Sequence, residues 1–338
     1  KEHIFMKKIL SLCLAFLLLF AVGCETETSS SSSTEKEAYT FIMPDGAPVL
    51  AVINLIKNYP EIDGHKINYK TVSSTNLVGE YTQNADIAVL PTNAAANLYN
   101  KGADIRLASV NVFGVMYMIG SQPLNTLEDL KGTIIYSIGQ GNTPELMLKY
   151  FLRKANVDFI EGTTVESDKV TISYKADGSE VIKALKMRQD GDPVAYGALG
   201  QPAVSKAVKA LNMSVVFDYQ AEWKKYNDSN GYPQAGVAVK SKVAADTSFM
   251  TALYSALSEN ATYLEENPSL IKPVLTDINS SFKDFDFTAE MVTALNLGFI
   301  KAKDAKSAIE AYFNGATEQQ ENKAFFGGKL PSDEFYLG

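Results

Sequence analysis

Cysteine is nearly absent from this 338-residue chain: the only two, Cys13 and Cys24, stand near its start. Everything beyond residue 24 is therefore without a disulfide, a thiolate nucleophile or a cysteine metal site. Histidine is as scarce, with His65 the only one after His3. Set in the turn-like DGHKIN, His65 reads as a surface residue rather than a general base, which needs a positioned partner. No Gly-x-Ser-x-Gly elbow occurs, and no His/Asp/Glu spacing marks a metal site. No catalytic residue, metal or cofactor is expected. Positive charge is short too: 31 Lys and Arg against 39 Asp and Glu leave a net charge of −8, where a nucleic-acid partner needs a basic face. Arginine supplies only Arg106, Arg153 and Arg188, none on a loop placed to line a cleft. That counts against a carboxylate or sulfonate ligand held by a bidentate guanidinium.

Long apolar runs are missing, with one exception. Residues 9–22 are apolar apart from Ser11, follow Lys7 and Lys8, and end at Gly23-Cys24. The run falls short of the roughly 20 residues that span a bilayer. A charged start, a short apolar stretch and small residues before a cut describe a secretory signal. Ala21-Val22-Gly23-Cys24 is similar to a bacterial lipobox, with Ala21 where leucine is commoner, and makes Cys24 the expected lipidation site. Residues 1–24 are thus expected to be a signal peptide with lipobox. Residues 25–37, ETETSSSSSTEKE, hold no apolar side chain and are expected to be a flexible tether. The expected location is extracytoplasmic, anchored to a bacterial cell membrane.

From Tyr39 the pattern changes. Short β-rich runs (TFIMP, HKINYKTVSS, ADIAVLP) alternate with helical spacing (APVLAVINLIKN, TNAAANLYNKG), and IRLASVNVFGVMYMIG reads as one long extended stretch. The alternation resumes after Leu127 with TIIYSIG, a helix from Thr143, VTISYKA, GSEVIKALKMRQDG, DPVAYGALG, QPAVSKAVKAL and SVVFDY. QAGVAVKSK is one more strand, and everything beyond about Ala245 reads as helical, AEMVTALNLGFI included. Such alternation predicts βαβ units and mostly parallel sheets. A lone strand after the second unit needs a sheet to join, and the first is nearest. The expected organisation is α/β with two lobes: 38–121 and 234–338 as a discontinuous first lobe with a helical C-terminal part, and 122–233 as the second. The chain then crosses twice, near Ser121-Gln122-Pro123 and near Tyr232-Pro233, which makes a hinge and a cleft.

TIIYSIGQGNTPELMLKYFLRKA runs through a glycine-rich turn into a helix. Gly139-x-Gly141-x-x-Pro144 lacks the third glycine of a dinucleotide fingerprint, and no Gly-Lys-Ser/Thr follows as in a P-loop. It reads as a helix start, with Thr143 as N-cap, Pro144 at the first helical position and Glu145 behind. Free N–H groups at such a start can take an anion or a polar ligand. The design recurs at Met43-Pro44-Asp45-Gly46-Ala47-Pro48, at Pro91-Thr92-Asn93 with Thr92 as N-cap, and at Gly200-Gln201-Pro202. Ligands of open α/β sheets sit at strand carboxyl ends, so four junctions facing one another across the cleft are the economical reading. Asp45 either offers an acceptor to a ligand with N–H donors or caps its own turn. Tyr219, Trp223, Tyr226 and Tyr232 lie near the second crossover. Trp223, the only tryptophan, either stacks on a heteroaromatic ligand or packs within its lobe; Tyr117 and Phe113 share that ambiguity. Met116, Met118 and Met147 read as core.

Together, the lipobox, the serine tether, ADIAVLPTNAAANLYNKG, LEDLKGTIIYSIGQGNTPELMLKYFL and YPQAGVAVK resemble the substrate-binding lipoproteins of ABC importers. The nearest group is the one typified by proteins for nitrate, alkanesulfonates and thiamine pyrimidine precursors, and the resemblance covers essentially the whole mature chain. It implies a type II periplasmic-binding-protein-like fold, no enzymatic activity, and a monomer that closes on a small molecule and delivers it to an ABC permease and ATPase. It implies ligand loops at Asp45-Gly46-Ala47, Thr92-Asn93, Gly139-Gln140-Gly141-Asn142-Thr143 and Gly200-Gln201, with Tyr117 and Trp223 as aromatic candidates. The shortage of cations favours a heteroaromatic solute such as a thiamine-related aminopyrimidine. An alkanesulfonate-, taurine- or nitrate-like anion is the alternative. A pyrimidine- or menaquinone-pathway enzyme on the same fold, or a chemosensory or adhesion lipoprotein, are the other classes.

Overall fold

The computed structural model describes residues 36–338 apart from 74–75, 228, 230 and 317–319. The signal peptide, the lipobox with Cys24 and most of the tether lie outside the described residues. The chain first lays down β1 (Tyr39–Pro44), β2 (Glu61–Ile62), β3 (His65–Val72), β4 (Ile87–Pro91), β5 (Arg106–Leu107) and β6 (Ser109–Val112). Six further strands, β7 (Met116–Gly120), β8 (Ile134–Ser137), β9 (Phe159–Glu161), β10 (Val170–Tyr174), β11 (Ala195–Gly200) and β12 (Ser214–Asp218), form a separate sheet in the order β12-β7-β11-β8-β10-β9. Then β13 (Ala235–Val239) and β14 (Leu297–Lys301) return to the first sheet, ordered β14-β6-β13-β4-β1-β3-β2 with β5 paired to β13. β3, β1 and β4 run parallel, and so do β9, β10, β8 and β11. β13 lies antiparallel to β4, and β7 lies antiparallel to β11 and β12. This is the two-lobed α/β architecture that the alternation predicts.

Burial explains why the central strands were readable. β4, β8, β11 and β13 are buried along nearly their whole length, because helices cover both faces of a mainly parallel sheet. Each aliphatic side chain so enclosed contributes about 1.5–3 kcal/mol. Among the described residues no helix is long and apolar enough to cross a membrane.

Three expectations are corrected. The first passage between sheets falls at residues 113–115, between β6 and β7, and not at Ser121-Gln122-Pro123. Gly114 turns the chain there at φ 86°, and a Cβ on it would meet the Tyr232 ring at 2.7 Å. The long extended stretch is therefore three strands shared between two sheets, and the second lobe begins with β7. The return passage lies between the helix Tyr219–Tyr226 and β13, a span that holds Tyr232-Pro233. The tail beyond Ala245 is not wholly helical. The helix Ala289–Thr293 stops, Asn296 takes φ 47°, and LGFIK adds β14 to the edge of the first sheet against β6. Finally, APVLAVINLIKN is two short helices, Ala47–Leu50 and Ile53–Asn58, rather than one.

Candidate ligand cleft between the sheets

Strand direction places the candidate loops. The carboxyl ends of β1 and β4 lie at the same edge as the start of β13, where Ala235 faces Pro91. In the second sheet the carboxyl ends of β8, β10 and β11 lie beside the start of β7, where Met116 faces Gly200, and the end of β12, where Asp218 faces Tyr117. Contacts join these two edges. The Tyr312 hydroxyl donates to Thr143 Oγ1 at 3.0 Å, and the Tyr117 hydroxyl on β7 donates to the Ala294 carbonyl just before β14 at 2.9 Å. An aromatic series spans the same seam, with Tyr150 against Trp223, Trp223 against Tyr232 and Tyr312, and Tyr312 stacked on Tyr232 at 5.7 Å between centroids.

A cavity of about 540 Å³ opens between the helix Thr92–Asn100 and the start of the helix Thr143–Lys154. Asn93 and Asn97 line it from one side, Gly141, Asn142 and Glu145 from the other, with Phe325 closing an edge. Two larger hollows lie elsewhere: one of about 730 Å³ between Tyr59 and Tyr263, and one of about 600 Å³ near Arg106 and Lys329. Neither includes a residue from both sheets' carboxyl-edge loops.

The structure brings some of the expected site residues to this cavity and employs others differently. Asn93 is 5% exposed; its Nδ2 donates to the Phe325 carbonyl, while its Oδ1 has no partner. Thr92 does not cap its helix. It is the first helical residue, and its hydroxyl donates to the Pro233 carbonyl at 2.6 Å, tying β4 to the return crossover. Thr143 likewise sits inside the helix, with Asn142 in the cap position and no side-chain cap bond. The turn itself holds: Gly139 and Gly141 take φ 73° and 75°, and Asn142 N–H donates to the Gly139 carbonyl. Gln140 reaches Glu161 at 3.4 Å. The Gly141 N–H, free for a ligand in the sequence-based expectation, is accepted by the carboxylate of Glu145. That carboxylate also pairs with Lys149, which holds Glu161 as well. Burial disfavours the charge on Lys149, yet the two glutamates carry its pKa above the usual lysine value.

Asp45 is turned away from the cavity. Its carboxylate accepts from Gly46 N–H, from Ser280 Oγ at 2.6 Å, and from both Ser281 N–H and Ser281 Oγ at 2.7 Å. Gly46 and Ala47 are buried beneath that contact, with Phe282 beside Gly46. Gln201 accepts from Ser205 N–H and Oγ, so it closes its own helix start, while Gly200 packs beside Val115 and Met116. Tyr117 donates to the Ala294 carbonyl at 2.9 Å, and burial pushes its phenol up to about 12. Trp223 is 1% exposed, donates to Ser229 Oγ, and fills the aromatic series. Its size is spent on joining the lobes, so the stacking surface expected of it is covered.

Three seam residues escaped the sequence reading: Phe325, Tyr174 and Tyr312. Each tyrosine sits in an apolar or helical run and reads as core, and Phe325 comes from a segment that no strand–helix junction flags. The one available signal was position, since Tyr174 falls at the end of β10.

His65 is not at the surface. It is 6% exposed, stacked on Tyr39 at 4.4 Å, with Nδ1 2.7 Å from the Glu37 carbonyl and Nε2 3.1 Å from Asp246. Asp63, His65 and Asp246 bring three possible metal-ligand atoms within 4.8 Å. They lie at the amino ends of β1 and β3, opposite the cleft, and internal bonds occupy them: Asp63 holds Lys36 and Ser248, and Asp246 caps the helix Thr247–Glu266.

Comparison with protein-family models and with curated proteins finds no match. Solved structures do match. An ABC transporter structure from Parabacteroides distasonis superposes with a TM-score of 0.73 and 24% identity over 88% of this chain and 98% of the other. The periplasmic aliphatic sulphonate binding protein SsuA from Escherichia coli gives 0.61 and 15%, covering 89% and 90%. A Candida albicans gene product described as exhibiting the generic periplasmic binding protein fold gives 0.52 and 14%, covering 86% and 89%. Identities this low speak to architecture, and the architecture of this chain is the periplasmic binding protein fold.

Proposed function

We propose that this chain is an extracytoplasmic solute-binding protein, held to the membrane by lipid on Cys24, that encloses one small molecule between its lobes and delivers it to an ABC permease and ATPase. The observation that carries the reading is the cavity of about 540 Å³ lined by the helix start after β4 and the glycine turn after β8. A pocket whose walls come from two separately wound sheets is completed only when the lobes approach, which couples capture to closure. Nothing in it calls for chemistry on the solute.

Within that reading the solute is a compact heteroaromatic with N–H donors, of the thiamine-related aminopyrimidine kind. Asp45 no longer supports this choice, because its carboxylate is spent on Ser280 and Ser281. Asn93 Oδ1 does, as a buried acceptor without a partner, and so does the carboxylate of Glu145 on the facing wall. An anion arriving at the helix start would meet Glu145 where a free N–H was expected. The sulfonate alternative draws on the likeness to SsuA.

A thermal-shift screen of the chain from Lys36 onward separates them. Its panel is 4-amino-5-hydroxymethyl-2-methylpyrimidine, thiamine, cytosine, taurine, butanesulfonate and nitrate. A ligand at 100 times its Kd adds about 2.7 kcal/mol, enough for a rise of several degrees. A rise with the aminopyrimidine and none with the sulfonates is the expected result. A rise with taurine or butanesulfonate alone overturns the ligand class and returns the anion to the helix starts.

A further inference from the structure

The helix Thr92–Asn100 carries asparagine at 93, 97 and 100, a spacing that sets all three on one face. Asparagine is a weak helix former, so three of them along one stripe call for a tertiary reason. Each side-chain amide donates to main-chain carbonyls of the segment 323–329. Asn93 reaches the Phe325 carbonyl at 3.4 Å and Asn97 the Ala324 carbonyl at 2.8 Å. Asn100 spends its amide on two, the Phe326 carbonyl at 2.8 Å and the Lys329 carbonyl at 2.6 Å. The segment leaves a short 3-10 turn, Gln320–Phe326, and runs through Gly327 and Gly328, so no sheet ladder serves these carbonyls and the asparagines do. The approach is close: a Cβ on Gly327 would stand 2.8 Å from Asn100 Cβ and 3.2 Å from Asn97 Cα.

The clamp decides where two neighbouring rings go. Phe326 is 2% exposed and stacks on Phe313 at 4.9 Å between centroids. Phe325 stays half-buried and lines the cavity of about 540 Å³, where Gly141, Asn142 and Glu145 form the facing wall. Among the described residues that line it, Phe325 is the one aromatic. Trp223 is buried in the aromatic series and Tyr117 is tied to the Ala294 carbonyl, so the ring face expected of them has to come from elsewhere. A phenyl ring offers a planar solute a flat apolar surface for offset stacking.

We infer that Phe325 is the specificity-determining aromatic contact of the solute site, and that Asn100 is a positioning residue that holds it at the cavity edge through the segment 323–329. The inference rests on the solute-capture reading. It adds the ring that selects a planar cargo, and it makes a segment near the end of the chain part of a site otherwise built from strand–helix junctions.

Titrations with 4-amino-5-hydroxymethyl-2-methylpyrimidine, cytosine and butanesulfonate test it on wild type, F325L, F325Y, N100A and F325L/N100A. With a planar probe that binds the wild type, F325L is expected to weaken Kd about fivefold, the worth of a lost ring contact, while F325Y stays within twofold. Asn100 does not line the cavity, so N100A is expected to weaken the same probe about threefold, and no further when F325L is already present. A loss that adds in full overturns the positioning role, since Asn100 then acts by another route. F325L within twofold of wild type overturns the inference and leaves solute capture standing. Butanesulfonate as the sole binder overturns it together with the ligand class. If no probe binds the wild type, the ligand class proposed above fails, and acrylamide quenching of F325W judges the ring. Trp223 is buried, so the added indole should be the one quenched, and more strongly after N100A. An F325W protein no more quenched than wild type puts the side chain away from the cavity and overturns the inference.

Discussion

Tyr312 donates its hydroxyl to Thr143 Oγ1 across 3.0 Å, and both residues are buried. The bond ties the helix Ala302–Ala316, which packs against β6 of the first sheet, to the first turn of the helix Thr143–Lys154, which follows β8 of the second. Tyr312→Phe keeps the ring on Tyr232 and strands the threonine hydroxyl. A net loss of about 1 kcal/mol is expected in urea unfolding, and most of it should return in Tyr312→Phe/Thr143→Val, where neither partner is left unpaired. A double variant less stable than either single one contradicts the assignment.

Asp45 is a structural clamp. One carboxylate accepts from a backbone N–H and two serine hydroxyls of the 280–281 segment, as well as from Gly46. Charge-assisted bonds of this kind are the stronger class, so Asp45→Ala is expected to cost about 2 kcal/mol in urea unfolding. Whichever probe of the solute panel binds should keep its Kd within about threefold. A large loss of affinity at unchanged stability would restore Asp45 to the ligand.

The two sheets were legible wherever a strand is buried on both faces. IAVLP, IIYS and AGVAV are apolar at almost every position, as a strand buried on both faces is. The first crossover was not legible, because VNVFGVMYMIG is apolar on both sides of Gly114 and only the approach of Tyr232 marks where the chain must turn. LGFIK escaped for the opposite reason: an edge strand with partial burial right after a helix has neither the period nor the length to announce itself. At the site, the glycine turn after β8 could be read from its own residues. The fate of Asp45 could not, since its partner Ser280 lies 235 positions away. Nor could the bond between Tyr312 and Thr143, whose partners lie 169 positions apart.

Gly139 and Gly141 take nearly the same φ, 73° and 75°, yet their surroundings differ. A Cβ on Gly139 would lie 2.6 Å from the Pro144 ring, whereas one on Gly141 meets nothing within 4 Å. Gly141→Ala should therefore cost only the left-handed backbone penalty, about 1–2 kcal/mol. Gly139→Ala adds a clash with a ring that cannot swing aside, and is expected to be clearly the more destabilising in thermal melts. Equal losses would mean that the turn relaxes around Pro144.

Acid stability offers a reading of the helix Thr247–Glu266. Its N-cap, Asp246, accepts from Phe249 N–H, and that bond first, then Ser248 and His65, hold its carboxyl below the usual value of 3.8. A pKa lower in the folded than in the unfolded chain stabilises the fold fully above the unfolded value, and the gain is lost as pH falls through the folded one. Asp246→Ala should be less stable than wild type by about 1 kcal/mol at pH 5, the usual worth of an N-cap. Between pH 4 and pH 2 the gap should close, because wild type is being protonated and the variant has nothing there to protonate. Urea midpoints for both proteins across that range measure it, and a gap that widens with acid would show that Asp246 is held neutral rather than charged.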